Sequence, residues 1–232
     1  MKSIDLTDRQ TWLAARKSLL AEEKSLTQAR ERLAQARRAL PAVLVDQTYE
    51  FETERGRETL LQLFKGKRQL VIYHFMFGDD WAQGCPSCSF WADNYDGAIT
   101  HLAARDTSLV AVSSARLSKL LTYRSRMAWS FDWVSSAGSE FNADYGVTFN
   151  TDEVNSTGNY NYANRAVHQE LPGISVFVLL NDDKVAHTYS TYARGLDMVN
   201  GTYQLLDLTP LGRDEADLPY AQSWVRRHDQ YD

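Results

Sequence analysis

Cysteine is nearly missing from this sequence: there are two in 232 residues. That excludes a small domain held by a framework of disulfides, which needs several bridges in place of a large core. Histidine is scarce as well, and His74, His101, His168, His187 and His228 are scattered. No two histidines stand at zinc-ligand spacing, so a zinc centre built on the two cysteines lacks two of its four ligands. No metal and no cofactor are expected. Long apolar runs are lacking too. The two longest, Leu70 to Phe77 and Ile174 to Leu180, fall far short of the roughly twenty residues that span a bilayer. Nor is there an excess of positive charge: 25 basic against 30 acidic residues give −5, which argues against nucleic acid as a partner. The opening residues Met1 to Asp5 carry no apolar stretch of the kind a secretion signal requires, so the expected compartment is the cytoplasm. On that expectation the sequons at Asn155 and Asn200 are chance matches.

What the chain does have is a particular placement of its two thiols. They stand in Gly84-Cys85-Pro86-Ser87-Cys88, just past the apolar run Gln69 to Phe77 that reads as a buried strand. Residues at i and i+3 on a first helical turn lie close enough for a short disulfide. Proline is favoured at the first helical position, where its missing N–H has no partner to lose. Cys85 is therefore the expected N-cap and Cys88 the third helical residue. A sulfur at the N-cap faces the free amides of Ser87 and Cys88 and the positive end of the helix dipole, which favour thiolate over thiol. Cys85 is thus the expected nucleophile and Cys88 the more buried, resolving thiol. Two blander readings, an inert pair and a metal site, fit less well with C-x-x-C beside a strand–helix pattern.

Residues 1–41 are a different material from the rest. Thr7 with Gln10 reads as a capping box. Trp12, Leu19, Leu26, Leu33 and Leu40 then recur every seven residues until Pro41. The second seam, Ala15, Glu22, Ala29 and Ala36, is small and interrupted, whereas coiled coils prefer larger residues there. A helix of about thirty residues spans roughly 45 Å. That length leans towards a homodimer, the alternative being a brace across the protein's own body.

From about residue 42 the pattern is α/β. A strand at Gln69 to Phe77 leads into a helix with an apolar stripe of Cys88, Trp91, Tyr95, Ile99 and Leu102. A second strand follows at Ser108 to Ser113, a helix over Leu117 to Met127, and a short strand at Phe131 to Ser135. Residues 136–171 lose periodicity and read as an insertion packed by its own aromatics. Two strands joined at Asn181 to Asp183 form a hairpin, and a last helix carries Leu196, Val199, Tyr203 and Leu206. This order predicts a central mixed sheet with helices on both faces, the thioredoxin arrangement, in residues 42–232. Trp224 is expected to dock the tail.

Three blocks carry a family resemblance: Asp80 to Asp93 around the dithiol, Leu171 to Phe177, and His187 to Gly195. They resemble a bacterial thioredoxin-like family of unknown function whose members are described as predicted dithiol–disulfide oxidoreductases. The resemblance implies the fold, and by analogy a disulfide or thiol substrate, protein or small molecule. Ordinary thioredoxins place a cis-proline just before the first hairpin strand, facing the dithiol. Counting back from the hairpin turn puts that position on Ser175, with Pro172 three residues too early. A serine there is closer to the peroxiredoxin-type members of the superfamily. The peroxiredoxin pattern P-x-x-x-[ST]-x-x-C is nevertheless absent. Its first two positions fall on Gly78 and Ala82 for Cys85, and on Trp81 and Cys85 for Cys88.

The expected site is thus Cys85 and Cys88, supported by Pro86, Ser87, Trp81 and Ser175. Asp79 and Asp80 read as a surface turn, and His74 as a satisfied core histidine. The alternatives are a thioredoxin-fold binding or scaffold protein with a regulatory or incidental dithiol and, less in keeping with the missing pattern, a peroxiredoxin-like peroxidase.

Overall fold

The computed structural model describes residues 4–231, in two compact units, residues 1–41 and 42–232. The first unit is one helix, α1 (Arg9–Arg38), none of whose residues is buried. Its N-cap is Asp8, one residue beyond the threonine expected. Asp8 Oδ1 accepts from the amides of Gln10 and Thr11 at 2.7 and 3.0 Å, and the Thr11 hydroxyl donates to Oδ2 at 2.6 Å. A carboxylate is the stronger cap here because it brings a full negative charge to the positive end of the dipole. The helix closes on Ala39, with Arg37 and Arg38 in the last turn.

The second unit runs β1 (Val43–Leu44), β2 (Glu50–Thr53), β3 (Gly56–Thr59), β4 (Gln69–His74), α2 (Pro86–Ala92), α3 (Ile99–Ala104), β5 (Thr107–Ser113), α4 (Leu117–Arg126) and β6 (Asp132–Ser135). It continues with α5 (Phe141–Asp144), α6 (Thr151–Asn155), β7 (Gly158–Tyr160), β8 (Ala163–Arg165), β9 (Gly173–Leu179), β10 (Val185–Tyr192) and α7 (Gly201–Leu206). Eight strands form one mixed sheet in the order β1-β10-β9-β4-β5-β6-β2-β3. Parallel pairing of β4 with β5, and antiparallel pairing of β9 with β4 and β10, make a βαβ unit followed by a hairpin and a helix. This is the thioredoxin-like fold, extended by β6 and by the β2–β3 hairpin.

Strand register sorts the core into two layers, because directly opposed residues share a face. Tyr73 stands opposite Ile174 and Ala111, and Ile72 opposite Ser175 and Val110. The Tyr73 face is covered by α2, α4 and α7 through Phe90, Trp91, Leu120, Tyr123 and Tyr203. The Ile72 face is covered by a short helical turn at Gln62–Phe64, by α5 and by Tyr49 and Phe51. Helices therefore lie on both faces, the longer ones on the side of the dithiol.

The apolar stripe from Cys88 to Leu102 is not one helix. Asn94 Nδ2 donates to the carbonyls of Phe90 and Trp91 at 2.8 and 3.4 Å. It thereby occupies acceptors that a continuing helix would use. Asp96 Oδ1 meanwhile accepts from the amides of Ser130 and Phe131 at 2.7 and 3.2 Å, tying the chain to the segment before β6. In residues 136–171, Val147, Phe149, Tyr160 and Val167 pack together with Tyr192 of β10.

Candidate active site

The approach to the dithiol is built from close packing. After β4 the chain keeps its extended path, Phe75 N–H donating to Val112 O at 2.9 Å, and then turns through residues 78–84. Arg116 fixes that turn by donating to both carboxylate oxygens of Asp79 at 2.9 and 2.6 Å. This guanidinium holds the Asp79 carboxyl well below the usual range. Asp79 is therefore an anchor of the loop. Gly84 is required by space: a Cβ there would lie 2.8 Å from the Phe75 ring and 3.0 Å from the Tyr123 ring.

Cys85 is the N-cap of α2 and Pro86 its first residue. Cys85 is half-buried and Cys88 buried. The Cys85 thiol is pulled down to about 7. The Cys88 thiol is the largest cause, followed by the amides of Cys88 and Ser87 and the charge of Arg227, all acting against burial. The two amides act here as aligned dipoles, since neither closes a strict capping hydrogen bond on the sulfur. Cys88 is shifted the other way. Burial and the neighbouring Cys85 push it well up, while the Met76 amide and the Tyr73 hydroxyl oppose this without winning. One environment thus separates two like groups, one lowered and one raised.

A chain of hydrogen bonds joins this turn to the tail of the protein. Arg227 Nε donates to the Tyr123 hydroxyl at 2.8 Å, and Arg227 Nη2 to Gly84 O at 2.7 Å. Ser89 Oγ donates to Cys85 O at 2.9 Å and lies 2.9 Å from the Tyr123 hydroxyl. Since the serine proton is committed to Cys85 O, the tyrosine proton points to the serine. Trp224 packs edge-on against Phe90 at 5.5 Å between ring centroids and helps hold the tail there. Nothing in the local sequence pairs Arg227 with residue 84. Trp224 in the tail was the available signal.

Beside Cys88 lies a cavity of about 250 Å³ lined mainly by carbon, with Tyr73, Met76, Trp91, Pro172 and Leu196 in its walls and Ser87 at its edge. Trp81 is half-buried against the same aromatic core. Ser175 is not at the dithiol. It stands opposite Ile72 and so faces the other side of the sheet, where its Oγ is 2.9 Å from His74 Nε2 and 2.8 Å from Ser190 Oγ. The position before the hairpin strand belongs to Pro172. β9 begins at Gly173 and runs for seven residues, longer than a count back from the turn allows. No cis peptide occurs among the described residues. His74 is a core histidine, pushed down to about 4 by burial.

Glu170, two residues before Pro172, went unnoticed in the sequence. It is 3% exposed, accepts from Ser114 Oγ at 2.6 Å and from Thr148 Oγ1 at 3.2 Å, and is pushed up to about 7, chiefly by burial. An acid raised on folding stabilises fully below its unfolded pKa, and the contribution is lost as pH rises through the folded one. Between about 4.5 and 7 the native protein should therefore lose roughly 2–3 kcal/mol from this group. His74, lowered on folding, acts in the opposite sense over an overlapping window. Glu170→Gln isolates the glutamate: urea unfolding from pH 4.5 to 8 should show the variant gaining on the wild type as pH rises.

Among the described residues no cluster of His, Cys, Asp and Glu is arranged to hold a metal ion, and no helix is long and apolar enough to cross a membrane.

Solved structures with a similar course include peroxidoxin BcpB of Mycobacterium tuberculosis, with 16% identity over 72% of this chain and 97% of that one and a TM-score of 0.46. A peroxiredoxin Q variant of Xanthomonas campestris has 14% identity over 72% and 98%, with a TM-score of 0.47. A peroxiredoxin Q variant of Xylella fastidiosa has 9% identity over 72% and 94%, with a TM-score of 0.44. Likeness at this level says nothing of activity. No curated protein matches the sequence significantly. The profile of the family described as "Bacterial protein of unknown function (DUF899)" matches residues 1–231, and the chain belongs to that family.

Proposed function

We propose that this protein is a thiol–disulfide oxidoreductase whose working pair is Cys85 and Cys88. The observation that carries the reading is the split between the two thiols: a half-buried Cys85 lowered to about 7 and a buried Cys88 raised. At neutral pH an appreciable part of Cys85 is thiolate, and its sulfur attacks one sulfur of a substrate disulfide. The substrate S–S bond breaks, one substrate thiolate leaves and takes a proton from solvent, and a mixed disulfide to Cys85 remains. Cys88 then loses its proton and attacks the Cys85 sulfur. The second substrate thiol departs, and the protein is left with a Cys85–Cys88 disulfide. The substrate gains two electrons and the dithiol loses two. An external dithiol such as dithiothreitol returns them in the assay.

The test is turnover of bis(hydroxyethyl) disulfide and of insulin with dithiothreitol as reductant. Wild type should exceed the uncatalysed rate, and Cys85→Ser should fall to that rate. Equal rates for the two proteins would leave the dithiol incidental and favour the scaffold alternative.

A further inference from the structure

We infer that the cavity beside Cys88 receives the uncharged, apolar group of a small organic disulfide, and so selects which disulfides the dithiol accepts. The inference rests on the oxidoreductase reading above and adds a substrate class to it.

Position comes first. The cavity is bounded on one side by Ser87, Cys88 and Trp91 of α2, and on the other by Pro172 and the helical turn that carries Leu196. A group lodged there lies against the resolving sulfur, within a few bonds of any sulfur joined to Cys85. Size comes next. An apolar cavity of about 150 Å³ is enough to admit benzene, so one of about 250 Å³ has room for a substituted ring or a branched alkyl group of similar bulk.

Polarity settles the class. The polar atoms that the aromatic walls possess are already used. Trp91 Nε1 donates to Leu196 O at 2.9 Å, and the Tyr73 hydroxyl donates to Cys88 O at 3.3 Å. The charges at the mouth are closed on one another: Asp197 is held by Arg194 at 3.0 Å and by Arg213 at 2.9 Å, and Arg213 also holds Asp207 at 2.8 Å. No uncompensated cation is offered to a carboxylate. The other polar side chains of the lining, Ser87 and Gln222, are neutral. A charged group placed here would therefore lose its water without gaining an ion-pair partner, a large penalty, whereas an apolar group gains by leaving water.

Two measurements test this, one of them independent of catalysis. Thioanisole, an uncharged aryl sulfide with no disulfide to exchange, should perturb the Trp91 indole and Leu196 amide resonances in a nitrogen–proton correlation spectrum. The effect should persist in Cys85→Ser and weaken in Met76→Gln or Leu196→Asn, whose spectra also report whether each variant is folded. Absence of any shift at millimolar thioanisole overturns the inference, whatever the activity.

In the second, kcat/KM is compared for neutral dithiodipyridine and dianionic dithiobis-nitrobenzoate, each divided by its rate with free dithiothreitol. The neutral disulfide should be preferred by about tenfold or more, and Met76→Gln should reduce the preference. A ratio near one with Cys85-dependent turnover overturns the substrate class and leaves the oxidoreductase intact. Perturbation by thioanisole without turnover of any disulfide supports the cavity and defeats the oxidoreductase.

Discussion

Cys88→Ala should raise the pH midpoint of Cys85 alkylation from about 7 by an amount on the order of one unit. The Cys88 thiol is the largest of the influences that favour the Cys85 thiolate, and alanine leaves that anion without the donor. Cys88→Ser restores a donor and should recover most of the shift. Arg227→Gln should move the midpoint in the same direction but less, because its charge is the smallest of the named causes. It would also release Gly84 O and the Tyr123 hydroxyl. With a disulfide substrate, Cys88→Ala should accumulate the mixed disulfide on Cys85, visible as a mass increase of one substrate thiol. Iodoacetamide labelling followed across pH by mass spectrometry reads both effects. A midpoint unchanged in Cys88→Ala would mean that the helix amides and Arg227 set the reactivity of Cys85 without the second thiol.

Trp133→Ala should cost the globular unit about 3–5 kcal/mol, a large fraction of the stability of a typical domain. Trp133 is 1% exposed and sits within the aromatic layer under α4. Its ring lies 4.5 Å from Phe75 between centroids and 6.0 Å from Tyr123. Its Nε1 donates to Ser113 Oγ at 3.0 Å, and that hydroxyl donates to Phe75 O at 2.6 Å. Alanine would leave a void and remove a donor from a buried hydroxyl. Trp133→Phe keeps most of the ring but not the N–H, so the difference between the two variants separates packing from the hydrogen bond. Urea unfolding followed by circular dichroism supplies the numbers. A loss below about 1 kcal/mol would mean that the layer closes over the gap.

The site motif was legible in the sequence because its physics is local. Proline after Cys85 fixes the start of α2, the i to i+3 spacing places Cys88 one turn in, and both features follow from backbone geometry alone. The strands β4, β5 and β9 were legible for a similar reason: their runs of β-branched and aromatic residues are too short for a helix and are bounded by turn residues. The N-cap of α1 slipped by one residue because Thr7 and Asp8 both qualify, and only the hydrogen bonds choose between them.

What the sequence by itself determined is therefore the thioredoxin-like order of elements and the pairing of an N-cap thiol with a buried one. The surroundings that act on those thiols were decided in three dimensions. Ser175 falls on the wrong face because strand alternation reverses with each residue, and the start of β9 lies where pairing with β4 puts it. Pro172 and Leu196 reach the neighbourhood of the dithiol through that pairing and the turns around it. Arg227 reaches Gly84 across 143 positions of the chain, a closeness that exists only once the tail has packed on α2.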